Sequence, residues 1–503
     1  MVIQISHLRL IVAWACAVLA FVRAHASDGV APTDAFYKRS SYTLPPELKL
    51  EASGIAVLPD GRAAIAIRKG EVWLLNNPTG DPAKPDLTLF AGGLHEPLGL
   101  TWHEGALYTT QRSEVTRLED RNGDGVADRY STAAKGWGIS GNYHEYAYGP
   151  VFDGDGNLWV TLNVTIGTKL NLPGNRMGDP LWRGWAMRQK PGGKLEPMAA
   201  GLRSPFGIGV NAEGDVFATD QQGNWWGTCP LLHLREGKFF GHADSIRDTR
   251  RPESPVRDPG ELPQDVTMVR AAEQIPGFAL PAVWFPYVKM GQSATGIVCD
   301  QTGGAFGPFG GQLFVGDFTM ALINRVFLEK VNGEYQGACF PFVRGLQSAV
   351  LQMAFLADGS MLVGESNRGW NSLGTRSYGL ERVAWTGRTP FEILRMEAQT
   401  DGFLLTFTEP LDVTRPLGPE SFTLTSYTYL YHAKYGSPET DTQKVEVISV
   451  EVAPSGRSVR LICTGLRPGY VHELRLGPLQ AKDGSTLLHR EAYYTLNQIP
   501  RRD

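Results

Sequence analysis

Residues 142–159, NYHEYAYGPVFDGDGNLW, set His144 and Glu145 among tyrosines at the mouth of a strand. A neutral imidazole titrates near working pH and can take a proton from a substrate hydroxyl. The same histidine beside tyrosines also suits hydrogen-bonded packing. Residues 201–209, GLRSPFGIG, place Arg203 before Ser-Pro, where its planar fork would meet carboxylate or sugar oxygens, or the carbonyls of a neighbouring element. Residues 120–128, DRNGDGVAD, space Asp120, Asn122, Asp124, the carbonyl of Val126 and Asp128 as oxygen ligands around a turn at Gly125, a pattern for Ca2+ or for an unfilled acidic turn. The twelfth position is Ser131, not the glutamate of an EF-hand. Four further polar loops, DQQGNWWG (220–227), PYVKMGQS (286–293), DFTMALINR (317–325) and ESNRGWNSLGTRSYG (365–379), suit carbohydrate or a planar cofactor. Trp225, Trp226 and Trp370 fit ligand contact or internal packing equally.

A repeat must position these groups. A small or apolar residue, Gly-apolar-x-apolar, a tight glycine turn and an apolar strand recur six times, from SGIAVLPDGRAAIAI at Ser53 to LQMAFLADGSMLVGE at Leu351. The leading positions Gly54, Gly99, Gly149, Gly207, Gly296 and Gln352 stand 45, 50, 58, 89 and 56 residues apart. Period-2 alternation around a glycine turn reads as a hairpin, with a further strand after most of them. Six such sheets can bury both faces only when arranged radially, which predicts an all-β chain with a six-bladed β-propeller over 45–388. The long fourth interval predicts a polar surface excursion. Residues 389–497 carry strands of another kind, with turns every 8 to 12 positions, and predict an immunoglobulin- or fibronectin-like β-sandwich. Residues 27–44 read as a lead-in.

Residues 1–26 read as an export signal: Arg9, an apolar run from Leu10 to Val22, and Ala24-His25-Ala26 as the cleavage site. No later run approaches the length of a membrane helix, so the expectation is a periplasmic or secreted protein with no integral membrane segment after processing. Cleavage takes Arg9 and Arg23 from 48 basic residues and nothing from 52 acidic ones, a balance that offers no footprint for nucleic acid. Cys229, Cys299, Cys339 and Cys463 form no CxxC, which leaves disulfides and reduced core cysteines both open.

The stretches YHEYAYGPVFDGDGNLWVTL, GLRSPFGIGV and TDQQGNW resemble the soluble glucose/sorbosone dehydrogenases, six-bladed propellers that use pyrroloquinoline quinone (PQQ) and calcium. The resemblance covers residues 45–388. It implies His144 as general base toward a sugar hydroxyl, Arg203 at the cofactor, and a cofactor loop of Gln222, Gly223 and Asn224, with carbonyls of the first two holding Ca2+. The sequence departs from the pattern at several positions. Counting back without a gap from Asp155 makes Glu145 the base, and Ser204 stands where the family has asparagine. The family's cofactor-binding cations fall on Thr319, Ala349 and Leu351, so anchoring the carboxylates of PQQ would pass to Lys289, Arg325 and Arg368.

Three functions follow as expectations. The first is an exported quinoprotein-like dehydrogenase for a sugar or small alcohol, passing electrons to an acceptor protein. The second is a non-catalytic propeller that binds glycan or a partner protein. The third is a lactonase-like hydrolase whose metal would sit on Glu145, Asp220 and Asp317.

Overall fold

The structure, a computed structural model, describes residues 33–166 and 179–501. The expected export signal lies outside them. Among the described residues no helix is long and apolar enough to cross a membrane.

The chain is all-β, with its sheets in a propeller-like arrangement. The first repeat forms the antiparallel sheet Ala52–Val57, Ala63–Ile67, Glu71–Leu75 and Leu87–Ala91. Later repeats build the same four-stranded order, and five such sheets stand separate. The sheet opened by Val350–Phe355 takes its outer strand from the other end of the chain, because Tyr37–Ser41 pairs with Tyr378–Trp385. The expected lead-in therefore holds a structural strand that closes the last repeat.

Strands such as Ala63–Ile67 are buried at every position, since each sheet is covered on both faces by its neighbours. Apolar clusters fill the gaps. One joins Ala64 and Leu74 of the first sheet to Leu107 and Leu118 of the second, and another joins Ile55 and Ile65 to Leu362 and Leu380 of the last. At the centre, backbones touch. A Cβ on Gly54 would lie 2.5 Å from the carbonyl carbon of Gly99, a distance that only glycine permits. Buried hydroxyls tie each of three repeats to the opening segment of the next: Thr161 Oγ1 donates to Pro205 O at 2.9 Å, Thr219 Oγ1 to Thr295 O at 2.9 Å, and Thr295 Oγ1 to Val350 O at 2.8 Å.

The segment after residue 388 is joined to the repeats, because Glu491–Leu496 pairs with Glu334–Arg344, the last strand of the fifth repeat. An eleven-stranded sheet results, running from Ala294–Cys299 to Ile393–Gln399. The physical reason is visible in Glu334–Arg344, whose apolar residues are buried throughout and whose free edge would otherwise invite aggregation. The fourth interval is exposed or half-buried over most of 250–265 but is tied into the structure at both ends. Ser245 is fully buried there and Trp185 Nε1 donates to its carbonyl at 3.1 Å, while Val266–Thr267 pairs with Leu430–Tyr431. The four described cysteines are free thiols.

Arg325, expected at a cofactor, lies wholly buried in the junction with the C-terminal strands. Its guanidinium sits 4.2 Å from both the Phe309 and Phe340 ring centroids and donates to Gln312 Oε1 at 2.6 Å, Ile393 O at 2.6 Å and Leu394 O at 3.0 Å. Burial brings its pKa down to about 10, still protonated at neutral pH. Its role is to cement the two halves. Arg325→Ala would leave a cavity and unpaired carbonyls, so urea unfolding should show a loss of about 3 kcal/mol.

Candidate active site

The second strand of each repeat ends on one face of the ring, and the polar residue there is Arg68, Gln111, Asn163, Asp220, Asp317 or Glu365 in turn. The recurrence of a polar residue directly after an apolar strand was a signal in the sequence that marks this face.

The turn before the strand Ala147–Phe152 places His144 and Glu145 in different surroundings. Glu145 is fully buried, its carboxylate accepting from Ser140 N at 2.6 Å, Ser140 Oγ at 2.6 Å and Thr165 Oγ1 at 2.7 Å. With its oxygens spent, Glu145 is corrected as a base. His144 is half-buried and its carbonyl accepts from Asn163 Nδ2 at 2.7 Å. Its ring lies 4.0 Å from that of Tyr143, and neither ring nitrogen has a hydrogen-bond partner among the described residues. Burial, then the charges of Arg203 and Arg112, hold its pKa below 6.5, which leaves the imidazole neutral and able to accept a proton at neutral pH. The segment is braced from below: Arg68 Nη2 donates to Tyr146 Oη at 2.8 Å and to Glu96 Oε1 at 2.9 Å, and Arg112 also pairs with Glu96.

Arg203 is placed by Asp220, whose buried carboxylate accepts from Arg203 N at 2.7 Å, Ser204 N at 2.6 Å and Gln221 N at 2.7 Å. Burial raises Asp220 to about 6, a rise that these amides limit. The Arg203 guanidinium makes no hydrogen bond or ion pair among the described residues and packs against Gly223, where a side chain would collide with it. Tyr435, from the C-terminal strands, lies over it at 5.5 Å.

The remaining expected cofactor ligands are engaged elsewhere. Lys289 Nζ pairs with Glu439 at 2.7 Å and Glu473 at 2.6 Å, both from the C-terminal strands. Arg368 pairs with Glu51 at 3.1 Å on the surface. The Gly223 carbonyl, expected on Ca2+, accepts from Gly436 N at 3.0 Å and Trp226 N at 3.2 Å. Gln222 Nε2 donates to Gly227 O at 3.0 Å and Asn224 Nδ2 to Ala433 O at 2.7 Å. These residues therefore do not fit PQQ held in the family's manner: one free guanidinium faces the cofactor's carboxylates where several cations are needed. Trp226 is buried against Trp284 and Trp225 packs on Tyr431, whereas Trp370 is exposed.

The oxygens of both expected metal sets accept hydrogen bonds from the protein itself. In the 120–128 loop Asp120 accepts from the amides of Gly123 and Gly125, Asn122 Oδ1 from Asp124 N, Asp124 from Val126 N, and Asp128 from the amides of Arg121 and Asn122. The loop closes on its own backbone. Asp317, for its part, accepts from the amides of Gln292, Ser293 and Met320 at 2.8 Å, so the lactonase-type set of Glu145, Asp220 and Asp317 is consumed in loop architecture. Among the described residues no group of three His, Cys, Asp or Glu side chains is placed to hold a metal ion.

The family described as "Domain of unknown function (DUF7133)" matches residues 57–339. No curated protein matches the chain. Among solved structures it is similar to a putative oxidoreductase (glucose dehydrogenase) from Thermus thermophilus, at 18% identity over 69% of this chain and 99% of that one, with a TM-score of 0.48. The PQQ-bound aldose sugar dehydrogenase of Streptomyces coelicolor aligns at 14% identity over 69% of this chain and 98% of that one, TM-score 0.46. The apo soluble aldose sugar dehydrogenase of Escherichia coli aligns at 15% identity over 69% and 99%, TM-score 0.46.

Isotope-labelled histidine makes the electrostatics of the site measurable. The NMR titration midpoint of His144 should fall below 6.5 and move upward in Arg203→Gln, because a neighbouring positive charge has been removed.

Proposed function

We propose that this chain, which belongs to the DUF7133 family, is an exported six-bladed propeller that acts on a hydroxyl of a sugar or related alcohol on its channel face. One observation carries the reading: His144 has both ring nitrogens unengaged and stands in the field of an Arg203 guanidinium that makes no hydrogen bond or ion pair, each among the described residues, and burial with that charge holds the imidazole pKa below 6.5. The imidazole would take the hydroxyl proton, and Arg203 would hold the oxygen with its fork of donors. Oxidation of that alcohol also requires a hydride acceptor. The residues do not form the PQQ cradle of the resembled family, so the acceptor would be held in another way or supplied by a partner protein.

The engagement of the Gly223 carbonyl by Gly436, and of Lys289 by Glu439 and Glu473, favours a second reading, in which the same face binds a glycan without turnover.

Protein purified from its native compartment separates the two when assayed for reduction of an artificial electron acceptor with aldoses, alditols and related alcohols. The first reading expects turnover that falls at least about a hundredfold in His144→Ala. Sugar binding with no turnover selects the second reading, and absence of both binding and turnover defeats each. In either case PQQ with Ca2+ should leave the absorbance spectrum and melting temperature unchanged, as a site with Lys289 and Arg368 already paired and the Gly223 carbonyl already engaged requires.

A further inference from the structure

We infer that the C-terminal strands complete this site, and that Tyr435 is its aromatic platform for the face of a pyranose ring whose hydroxyls meet Arg203. The inference rests on the channel face being a sugar site and names the shape of sugar it takes.

Tyr435 is 63% exposed, an unusual position for a large side chain on a loop that is otherwise tied down. Its backbone bridges Asn224. The residues around it are anchored on both sides: Trp225 N donates to His432 O at 3.0 Å, Asn224 Nδ2 to Ala433 O at 2.7 Å, Gly436 N to Gly223 O at 3.0 Å and Ser437 N to Gly227 O at 3.1 Å. Further along, Glu439 holds Lys289. A loop fixed at this many points loses little further entropy on binding. What it presents is a phenol ring with the Arg203 guanidinium over one face, 5.5 Å from its centroid and without a hydrogen-bond or ion-pair partner among the described residues, so a sugar would stack on the opposite face and reach the guanidinium at the ring's edge. Tyr143, 58% exposed and tilted 35° against the His144 ring, adds a second aromatic surface beside the base.

Sugar rings carry C–H bonds on one face and hydroxyls around the rim. An aromatic face with an adjacent five-donor fork matches both at once. An acyclic alditol offers the hydroxyls without the flat apolar face. The arrangement therefore selects cyclic over open-chain polyols. Neither the repeat nor the resemblance to the dehydrogenases covers residue 435, which lies beyond the matched residues 57–339.

Calorimetry on the full chain tests this with methyl pyranosides and with acyclic alditols of equal carbon number. Tyr435→Ala should weaken pyranoside binding about tenfold, with a much smaller loss for alditols, and Tyr435→Phe should recover most of the affinity. An unchanged melting temperature checks that the exposed position is not needed for folding. If pyranosides bind the wild-type chain and Tyr435→Ala binds them equally well, the platform is wrong and the sugar site stands. If the wild-type chain binds neither class, the reading of the face as a sugar site fails and the platform falls with it.

Discussion

Close backbone approach at the centre of the ring is the constraint on which the rest of the structure depends. Gly54 leaves no room for a Cβ against Gly99, and threonine hydroxyls carry hydrogen bonds from one repeat to the first strand of the next. Because the first strands are locked at the centre, the ends of the second strands converge on one face. His144 of the third repeat meets Arg203 and Asp220 of the fourth there. Asp220 shows how the lock reaches the chemistry: its buried carboxylate is spent on the amides of Arg203 and Ser204, which fixes the direction in which the arginine leaves the backbone.

The C-terminal strands change what this face can hold. They extend the sheet of the fifth repeat, bury Arg325 in the junction, and send the 429–439 loop over the Gln222–Asn224 turn. A backbone N–H from Gly436 occupies the carbonyl that the resemblance assigns to calcium, and Glu439 with Glu473 neutralises the lysine assigned to a quinone carboxylate. Protein groups thus satisfy, in place of a cofactor, the polar atoms of this turn. An unpaired buried charge or carbonyl would cost several kcal/mol, so the engagement of Lys289 and Gly223 is a structural requirement once the loop sits there.

Some of the site was legible in local sequence and some was not. His144 and Arg203 were found because each leads into a strand of a visible repeat. The choice between His144 and Glu145 needed the third dimension, since the carboxylate finds Thr165 20 residues along the chain as well as nearby Ser140, and the imidazole finds neither. Lys289, Arg325 and Arg368 were misassigned for one reason: a cation in a polar loop can serve any nearby carboxylate or carbonyl, and the partners Glu439, Leu394 and Glu51 lie far away along the chain. The 120–128 loop matched a calcium pattern because Asp and Asn at alternate positions bind backbone amides as readily as they bind a cation.

The sequence by itself determined the repeating hairpins, the all-β class and the identity of the residues at the strand mouths, because period-2 patterning and glycine turns are local properties. Tertiary structure alone decided that Tyr37–Ser41 closes the last repeat, that residues after 388 join the fifth repeat's sheet, and that Tyr435 stands over Arg203. Those outcomes depend on which edges remain unpaired and which charges lack partners once the ring has formed. Pairing across hundreds of residues leaves no period and no spacing for a sequence to display.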